Sequence, residues 1–354
     1  MFKLRLYVLL IVCCSVFTGT GFAQTEDTTR VLFIGNSFTY YNNMPQLFEQ
    51  LGNLGNHPVK IMQHTPGGVS VGDISQGSLA HMNNATVYQY IRDYKWDFLV
   101  LQDNQGRFVL DYGVFPSSSL VVKGHKMIRD SLLHYSPCAQ VLWFAGWGPK
   151  NGYLPYSATG VGLIDRIYRN YTVLLDSAGH TITPIGAAWK RVVSASNPPN
   201  LWDVDDTHPS YAGSLLTAHV IYSSIFKTSA IESAFTTTAI PFSTDTMFRR
   251  VAYQTVLDSA QSTHYNLITP TLVCSNGNCA IVNAVNAKWY NNGQLVGTGL
   301  NYSAVSNMQV QAMITYSNGC TLRSAKYTIS ASSVTGIAEE HVQAVAIAPN
   351  PFNE

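Results

Sequence analysis

Between Arg30 and Lys227 the chain repeats one pattern: a short apolar run, a polar break, then a longer stretch in which apolar residues recur every three or four positions. The runs "VLFIG" (31–35), "VKIM" (59–62), "DFLVLQ" (97–102), "QVLWFAG" (140–146) and "TITPIG" (181–186) read as strands, since continuous apolar runs of this length suit strands buried on both faces. The stretches "MPQLFEQLGNLG", "ATVYQYIRDY", "SSSLVVKGHKMIRDSLLHY" and "VGLIDRIYRNYTVLLDSAG" carry helical periodicity between them. A last helix is predicted in "PSYAGSLLTAHVIYSSIF", with Pro209 in its first turn, where the missing N–H leaves no bond unmade. This alternation predicts an α/β fold, a three-layer α/β/α doubly wound parallel sheet with ligands bound at the carboxyl ends of its strands. Segment 228–264 reads as helical around "MFRRVAYQTVLDSAQ" and is expected to close the first domain.

After about residue 265 the period changes. Short alternating runs separated by Asn-Gly, Gly-Gln and Ser-Asn-Gly predict antiparallel hairpins and a small all-β sandwich over 265–332. Its segment "AKWYNNGQLV" resembles the strand-turn-strand of immunoglobulin-like or PKD-like modules. Residues 333–354 read as a linker whose end, "VQAVAIAPNPFNE", resembles the opening of the C-terminal sorting domain of type IX secretion. At the other end, Lys3 and Arg5 precede an apolar run from Leu6 to Phe17 and small residues ending at Ala23. That is the pattern of a secretory signal peptide over 1–23, cleaved near Ala23, and its apolar part is too short to span a bilayer comfortably. Cys13 and Cys14 lack the small residue before them that a lipoprotein signal would carry. The first domain is therefore placed at 24–264.

Composition narrows the function classes. Of 354 residues, 46% are hydrophobic and 12% charged, which fits a large buried core and excludes disorder for most of the chain. Loss of residues 1–23 removes two cations and leaves 19 basic against 20 acidic residues, so no excess of positive charge points to nucleic acid or an anionic membrane. Four cysteines remain: Cys138, Cys274, Cys279 and Cys320. Three of them cluster late, so a disulfide is expected within the C-terminal part, and their spacing matches no zinc pattern.

Two segments carry candidate chemistry. Ser37 follows the first strand, where a side chain can stand at the sheet edge while the next backbone N–H groups face a developing anion. A serine hydroxyl is a weak nucleophile and needs a base, usually a histidine oriented by a carboxylate. The segment "NLWDVDDTHPSYAG" supplies Asp205, Asp206 and His208. An aspartate three residues before a histidine can accept from Nδ1–H and leave Nε2 free to take the serine proton. Asp205 is favoured over Asp206, because the nearer carboxylate would have to turn back on its own histidine. Each piece also has an ordinary reading: Gly-Asn-Ser as a turn, "DDTHPS" as a helix start, Gly67-Gly68 as a turn and Asn104 as a loop residue.

Taken together, "GNSF", "TPGGVSV", "WDFLVLQDNQG" and "DDTH" resemble the successive blocks of the SGNH or GDSL-type hydrolases, whose fold is flavodoxin-like. With "WGPKNG", "PIGAAW" and "HPSYAGSLLTA" the similarity spans roughly 30–227 and points to a secreted bacterial esterase subgroup. The resemblance implies Ser37 as nucleophile, His208 as base and Asp205 as its partner. It implies an oxyanion hole from the N–H groups of Ser37 and Gly68, or Gly67, with the amide of Asn104. The third block reads Gln102-Asp103-Asn104-Gln105 rather than Gly-x-Asn-Asp, so Gln102 and Gln105 are alternative donors. Trp147, His64 and His81 are candidates for lining a substrate pocket. The other histidines form no metal spacing, and neither metal nor organic cofactor is expected.

The expected function is ester hydrolysis through an acyl-enzyme. The substrate is an acylated small molecule or polysaccharide, with acetylated carbohydrate first and lipid or short-chain acyl esters next, and the C-terminal module would supply a glycan or cell-surface contact. A reading of another class is a non-catalytic glycan-binding or adhesion protein, for which an intact Ser, Asp and His would have no use. No nucleic-acid partner and no membrane span are expected.

Overall fold

The computed structural model describes residues 28–329 except 111–117, 179–180, 261–266, 269, 276 and 306. The signal-peptide and sorting-domain readings, 1–23 and 333–354, lie outside the described residues.

Five strands, β1 (Thr29–Ile34), β2 (Val59–His64), β3 (Phe98–Leu101), β4 (Gln140–Phe144) and β5 (Thr181–Thr183), form one sheet in the order β2-β1-β3-β4-β5. Every pairing in it is parallel. Alternate residues of each strand feed different cores. Val31, Phe33, Phe98, Val100, Leu142 and Phe144 face one layer. Leu32, Ile34, Leu99, Leu101, Val141 and Trp143 face the other. Burial on both faces explains why these strands are apolar without interruption.

The helices are α1 (Ser37–Tyr40), α2 (Met44–Asn53), α3 (Ala85–Asp93), α4 (Gly106–Val109), α5 (Ser118–Tyr135), α6 (Gly160–Ala178), α7 (Ile185–Val193), α8 (Tyr211–Phe226) and α9 (Phe242–Asp258). Helices α2, α7, α8 and α9 cover the first face and α3, α5 and α6 the second. Helix α8 is buried from Ala212 to Ile225 because α9 packs over it, which is why its sequence is apolar all round rather than amphipathic. Chain order reverses between β1 and its neighbours β2 and β3, so the carboxyl end of β1 is the topological switch point where doubly wound folds place ligands.

Two expected elements are corrected. The strand placed at 181–186 stops at Thr183; Pro184 removes a ladder donor, and Ile185 begins α7, whose Ile185, Ala188, Trp189 and Val192 enter the core at helical spacing. Pro209 is not in the first turn of α8. It bridges Trp202, and Ser210 caps the helix by accepting from Gly213 N–H at 3.2 Å.

The C-terminal residues form two separate antiparallel sheets. Strands β6 (Leu272–Ser275), β7 (Asn278–Ile281) and β10 (Asn301–Ser303) make one, and β8 (Asn286–Asn291), β9 (Gln294–Thr298), β11 (Gln309–Thr315), β12 (Thr321–Arg323) and β13 (Tyr327–Thr328) the other. Side chains of both meet around fully buried Trp289. The β8–β9 hairpin turns on Asn292-Gly293, both at positive φ as a two-residue turn of this twist requires.

The expected disulfide within the C-terminal part is present, and a second bridge leaves it. Cys274 pairs with Cys279 inside the β6–β7 hairpin, but Cys320 pairs with Cys138, between α5 and β4 of the first unit. Arg323 adds an ion pair to Asp97 at 3.7 Å on the same side. Because this bridge closes 182 residues of chain, its removal releases much unfolded-state entropy, and we expect the Cys138→Ser/Cys320→Ser protein to lose about 2–5 kcal/mol of stability. Thermal unfolding checks this; an unchanged Tm would mean that the bridge contributes nothing to the folded state.

Candidate active site

Strand β1 ends at Ile34, and Gly35-Asn36 turn the chain so that Ser37 opens α1. Asn36 caps this short helix: its Oδ1 accepts from Phe38 N–H at 3.1 Å, and its Nδ2 donates to Val69 O at 3.0 Å. Gln102 Oε1 accepts from Asn36 N–H at 2.7 Å and from the Thr39 hydroxyl at 3.0 Å. A Cβ at position 35 would lie 2.5 Å from Thr39 Oγ1 and 2.6 Å from Gln102 Oε1, so only glycine fits this turn. Asn36 thus serves as cap and clamp of the serine-bearing turn.

His208 arrives from the far end of the domain, 171 residues later, and its Nε2 lies 2.8 Å from Ser37 Oγ. Its Nδ1–H donates to Asp205 Oδ2 at 2.5 Å, while Asp205 Oδ1 accepts from the N–H groups of Thr207 and His208, both at 2.9 Å. Burial opposes the charge on Asp205. The hydrogen bonds from the His208 ring and from these two N–H groups outweigh it and hold the carboxyl down to about 2. The carboxylate is therefore charged across the working pH range and fixes the tautomer with Nε2 unprotonated.

Asp206 points elsewhere. It sits at φ +54, accepts from Asn151 Nδ2 at 2.9 Å and faces Lys150 Nζ at 3.7 Å. The segment 201–210 is braced against 147–150: Trp147 Nε1 donates to Thr207 O (3.1 Å), Lys150 N to Asp206 O (2.8 Å) and Trp202 Nε1 to Gly148 O (3.0 Å).

Sequence reasoning passed over three residues that hold the histidine. Tyr41 stacks on the His208 ring with centroids 4.2 Å apart and planes at 8°, and Phe38 approaches it at 5.4 Å. Asn42, at φ +52, donates from Nδ2 to Pro209 O at 2.9 Å and to Ser214 Oγ at 3.0 Å, tying the loop after Ser37 to the start of α8. The signal was the run "TYYNN" itself: aromatic residues, then two asparagines, the residue type that best tolerates the left-handed region outside glycine.

The candidate amides divide. Gln102 Nε2 donates to Asp103 O. Gln105 Nε2 contacts Asp103 O at 3.2 Å, Phe144 O at 3.4 Å and the Tyr171 hydroxyl at 3.3 Å. Both glutamines are buried with their donors engaged in the scaffold, which corrects their reading as alternative oxyanion donors. Asn104 accepts from Gly106 N–H through Oδ1 at 3.0 Å and is one of the residues that line the pocket beside Ser37. Gly68 adopts φ +71 with open space where a Cβ would point, whereas a Cβ on Gly67 would lie 3.4 Å from the Tyr40 hydroxyl.

The three pocket candidates also separate. His81 is fully buried beneath the turn; its Nε2–H donates to Gly35 O at 2.8 Å, so its Nδ1 accepts from His64 Nδ1–H at 3.3 Å. Burial and the neighbouring His64 ring push His81 down to about 3, which keeps it neutral. This pair supports the Ser37 turn from below rather than lining the pocket. Trp147 backs the pocket beside Ser37, but it is fully buried and stacked on Trp189 at 3.8 Å, a packing residue with no ring face open to a sugar. No cluster of His, Cys, Asp or Glu among the described residues could hold a metal ion.

No protein-family model matches the chain, and no curated protein matches it by sequence. Solved structures do resemble it in fold. A DUF4886 family protein from Bacteroides uniformis aligns with a TM-score of 0.53 and 15% identity over 65% of this chain and 95% of its own. A lipase from a goat rumen metagenome gives a TM-score of 0.41 at 14% identity over 58% of this chain and 99% of its own. A carbohydrate acetylesterase from Sinorhizobium meliloti gives 0.37 at 13% identity over 55% and 97%. At these identities the first likeness bears on the architecture alone, a parallel five-stranded sheet between helices, and the two weaker ones add nothing to it.

Proposed function

We propose that the protein is a serine esterase of the SGNH or GDSL type. The observation that carries this reading is the continuous chain Ser37 Oγ, His208 Nε2, His208 Nδ1, Asp205 Oδ2, with links of 2.8 and 2.5 Å at the switch point of the sheet. In the proposed reaction Ser37 Oγ attacks the ester carbonyl carbon as His208 Nε2 takes its proton. The carbonyl oxygen becomes an oxyanion, received by the N–H groups of Ser37 and Gly68 and the Asn104 amide. Collapse breaks the bond to the alcohol oxygen, which takes the proton from His208 and leaves an acyl-Ser37. Water then attacks that acyl group, His208 accepting its proton and returning it to Ser37, to release the acid.

The alcohol part is read as carbohydrate, from the secretory signal and the accessory sheets, which we take as an immunoglobulin-like or PKD-like module that contacts glycan or the cell surface. Two disulfides favour an oxidising compartment, and no helix among the described residues is long and apolar enough to cross a membrane. The test is hydrolysis of 4-nitrophenyl esters by the purified protein, followed by release of acid from a panel of acylated polysaccharides. Absence of turnover on every ester would return the protein to the glycan-binding reading.

A further inference from the structure

Next to Ser37 the first unit holds a pocket of about 360 Å³. Phe38, which follows Ser37, and Thr207, which precedes His208, both line it, which sets it beside the Ser37–His208 pair. Its walls are otherwise mainly apolar: Val109 and Leu110 from the end of α4, Pro149, and the buried edge of Trp147. An acetyl group sends a single methyl past the carbonyl carbon. At the ~30 Å³ share of one water molecule, that methyl would fill about a tenth of the space.

The polar groups on the lining limit what else could enter. Thr207 directs N–H and hydroxyl to Asp205, at 2.9 and 3.3 Å, and its carbonyl accepts from Trp147. Gln105 Nε2 is engaged with Asp103 O and Phe144 O, and its Oε1 is buried out of reach of solvent. Among the described lining side chains that leaves the Asn104 amide N–H, assigned above to the oxyanion, and the Tyr153 hydroxyl. A sugar ring would bring several hydroxyls into the pocket without partners, at a cost that a hydrocarbon chain does not meet.

We infer that this pocket receives the acyl part of the substrate and that the acyl group is an apolar chain several carbons longer than acetyl. The inference rests on the esterase reading and replaces the acetyl expectation within it; the sugar, if the alcohol is one, stays outside this pocket. Leu110 is the residue that sets chain length. It follows the last turn of α4, only partly buried, and its carbonyl accepts from Asn170, a backbone bond that survives a change of side chain.

The test is the chain-length profile of kcat/KM on 4-nitrophenyl acetate, butyrate, hexanoate and octanoate. Each methylene moved from water into an apolar wall is worth about fourfold, so kcat/KM should rise at least tenfold from acetate to hexanoate. Leu110→Trp should lower the hexanoate-to-acetate ratio at least tenfold. A wild-type profile that falls from acetate onward overturns the inference and leaves the esterase reading standing; the wild-type measurement decides this even if the tryptophan variant does not fold. A rising profile that Leu110→Trp, folded, leaves unaltered also overturns it, because the chain would then lie elsewhere. No turnover at any length overturns the esterase reading and this inference together.

Discussion

Ser37→Ala is expected to leave a folded protein whose kcat on any accepted ester is lower by about three or more decades. The fold should survive because the turn is held by its neighbours. Asn36 supplies the cap, Gln102 Oε1 takes the Asn36 N–H, His81 holds the Gly35 carbonyl, and alanine is a good residue at the first position of a helix. Turnover should fall because the hydroxyl removed is the group 2.8 Å from His208 Nε2. The residual rate would come from binding and oxyanion stabilisation alone. Circular dichroism with single-turnover kinetics separates loss of fold from loss of chemistry. A folded variant that kept a tenth of wild-type kcat would make Ser37 an ordinary turn residue.

The parallel sheet could be read from the chain because its strands are buried on both faces and so leave unbroken apolar runs, as at Val31 to Ile34 and Phe98 to Leu101. The reading failed where a breaker stood inside a run: Pro184 was carried along in "TITPIG", although it ends the strand and the next nine residues form α7. Ser37, Asp205 and His208 were legible because local spacing decides which atoms can meet, three residues for the Asp–His turn and a strand end for the serine. Long-range partners left no such trace. The Cys138–Cys320 bridge depends on how two separately patterned units sit together, and the direction of an amide depends on which carbonyls surround it after packing. That is why Gln102, Asn104 and Gln105 were interchangeable in sequence and are distinct in the structure: the side-chain nitrogens of the two glutamines bond to scaffold carbonyls, whereas Asn104 bonds through its oxygen. The same holds for His64 and His81, whose place near the glycine segment suggested a pocket and whose ring nitrogens instead hold each other and the Gly35 carbonyl.

The second large effect separates the adjacent aspartates. Asp205→Asn is expected to cost on the order of two to four decades in kcat, because an amide at that place can present N–H toward His208 Nδ1 and favour the tautomer that cannot accept from Ser37. Loss of the carboxylate also removes what stabilises the imidazolium that forms as Ser37 attacks, which lowers the plateau of kcat. Asp206→Asn should stay within about tenfold of wild type, since asparagine accepts φ +54 as readily as aspartate and its amide oxygen can still accept from Asn151. What it loses is the 3.7 Å pair with Lys150, whose partners are each 44% exposed and which is worth at most ~1 kcal/mol. The reverse ranking, with Asp206→Asn crippled and Asp205→Asn near wild type, would overturn the assignment. Equal and mild effects from both would mean that His208 needs no side-chain carboxylate and is held in place by the stacked Tyr41 ring and the brace between 201–210 and 147–150.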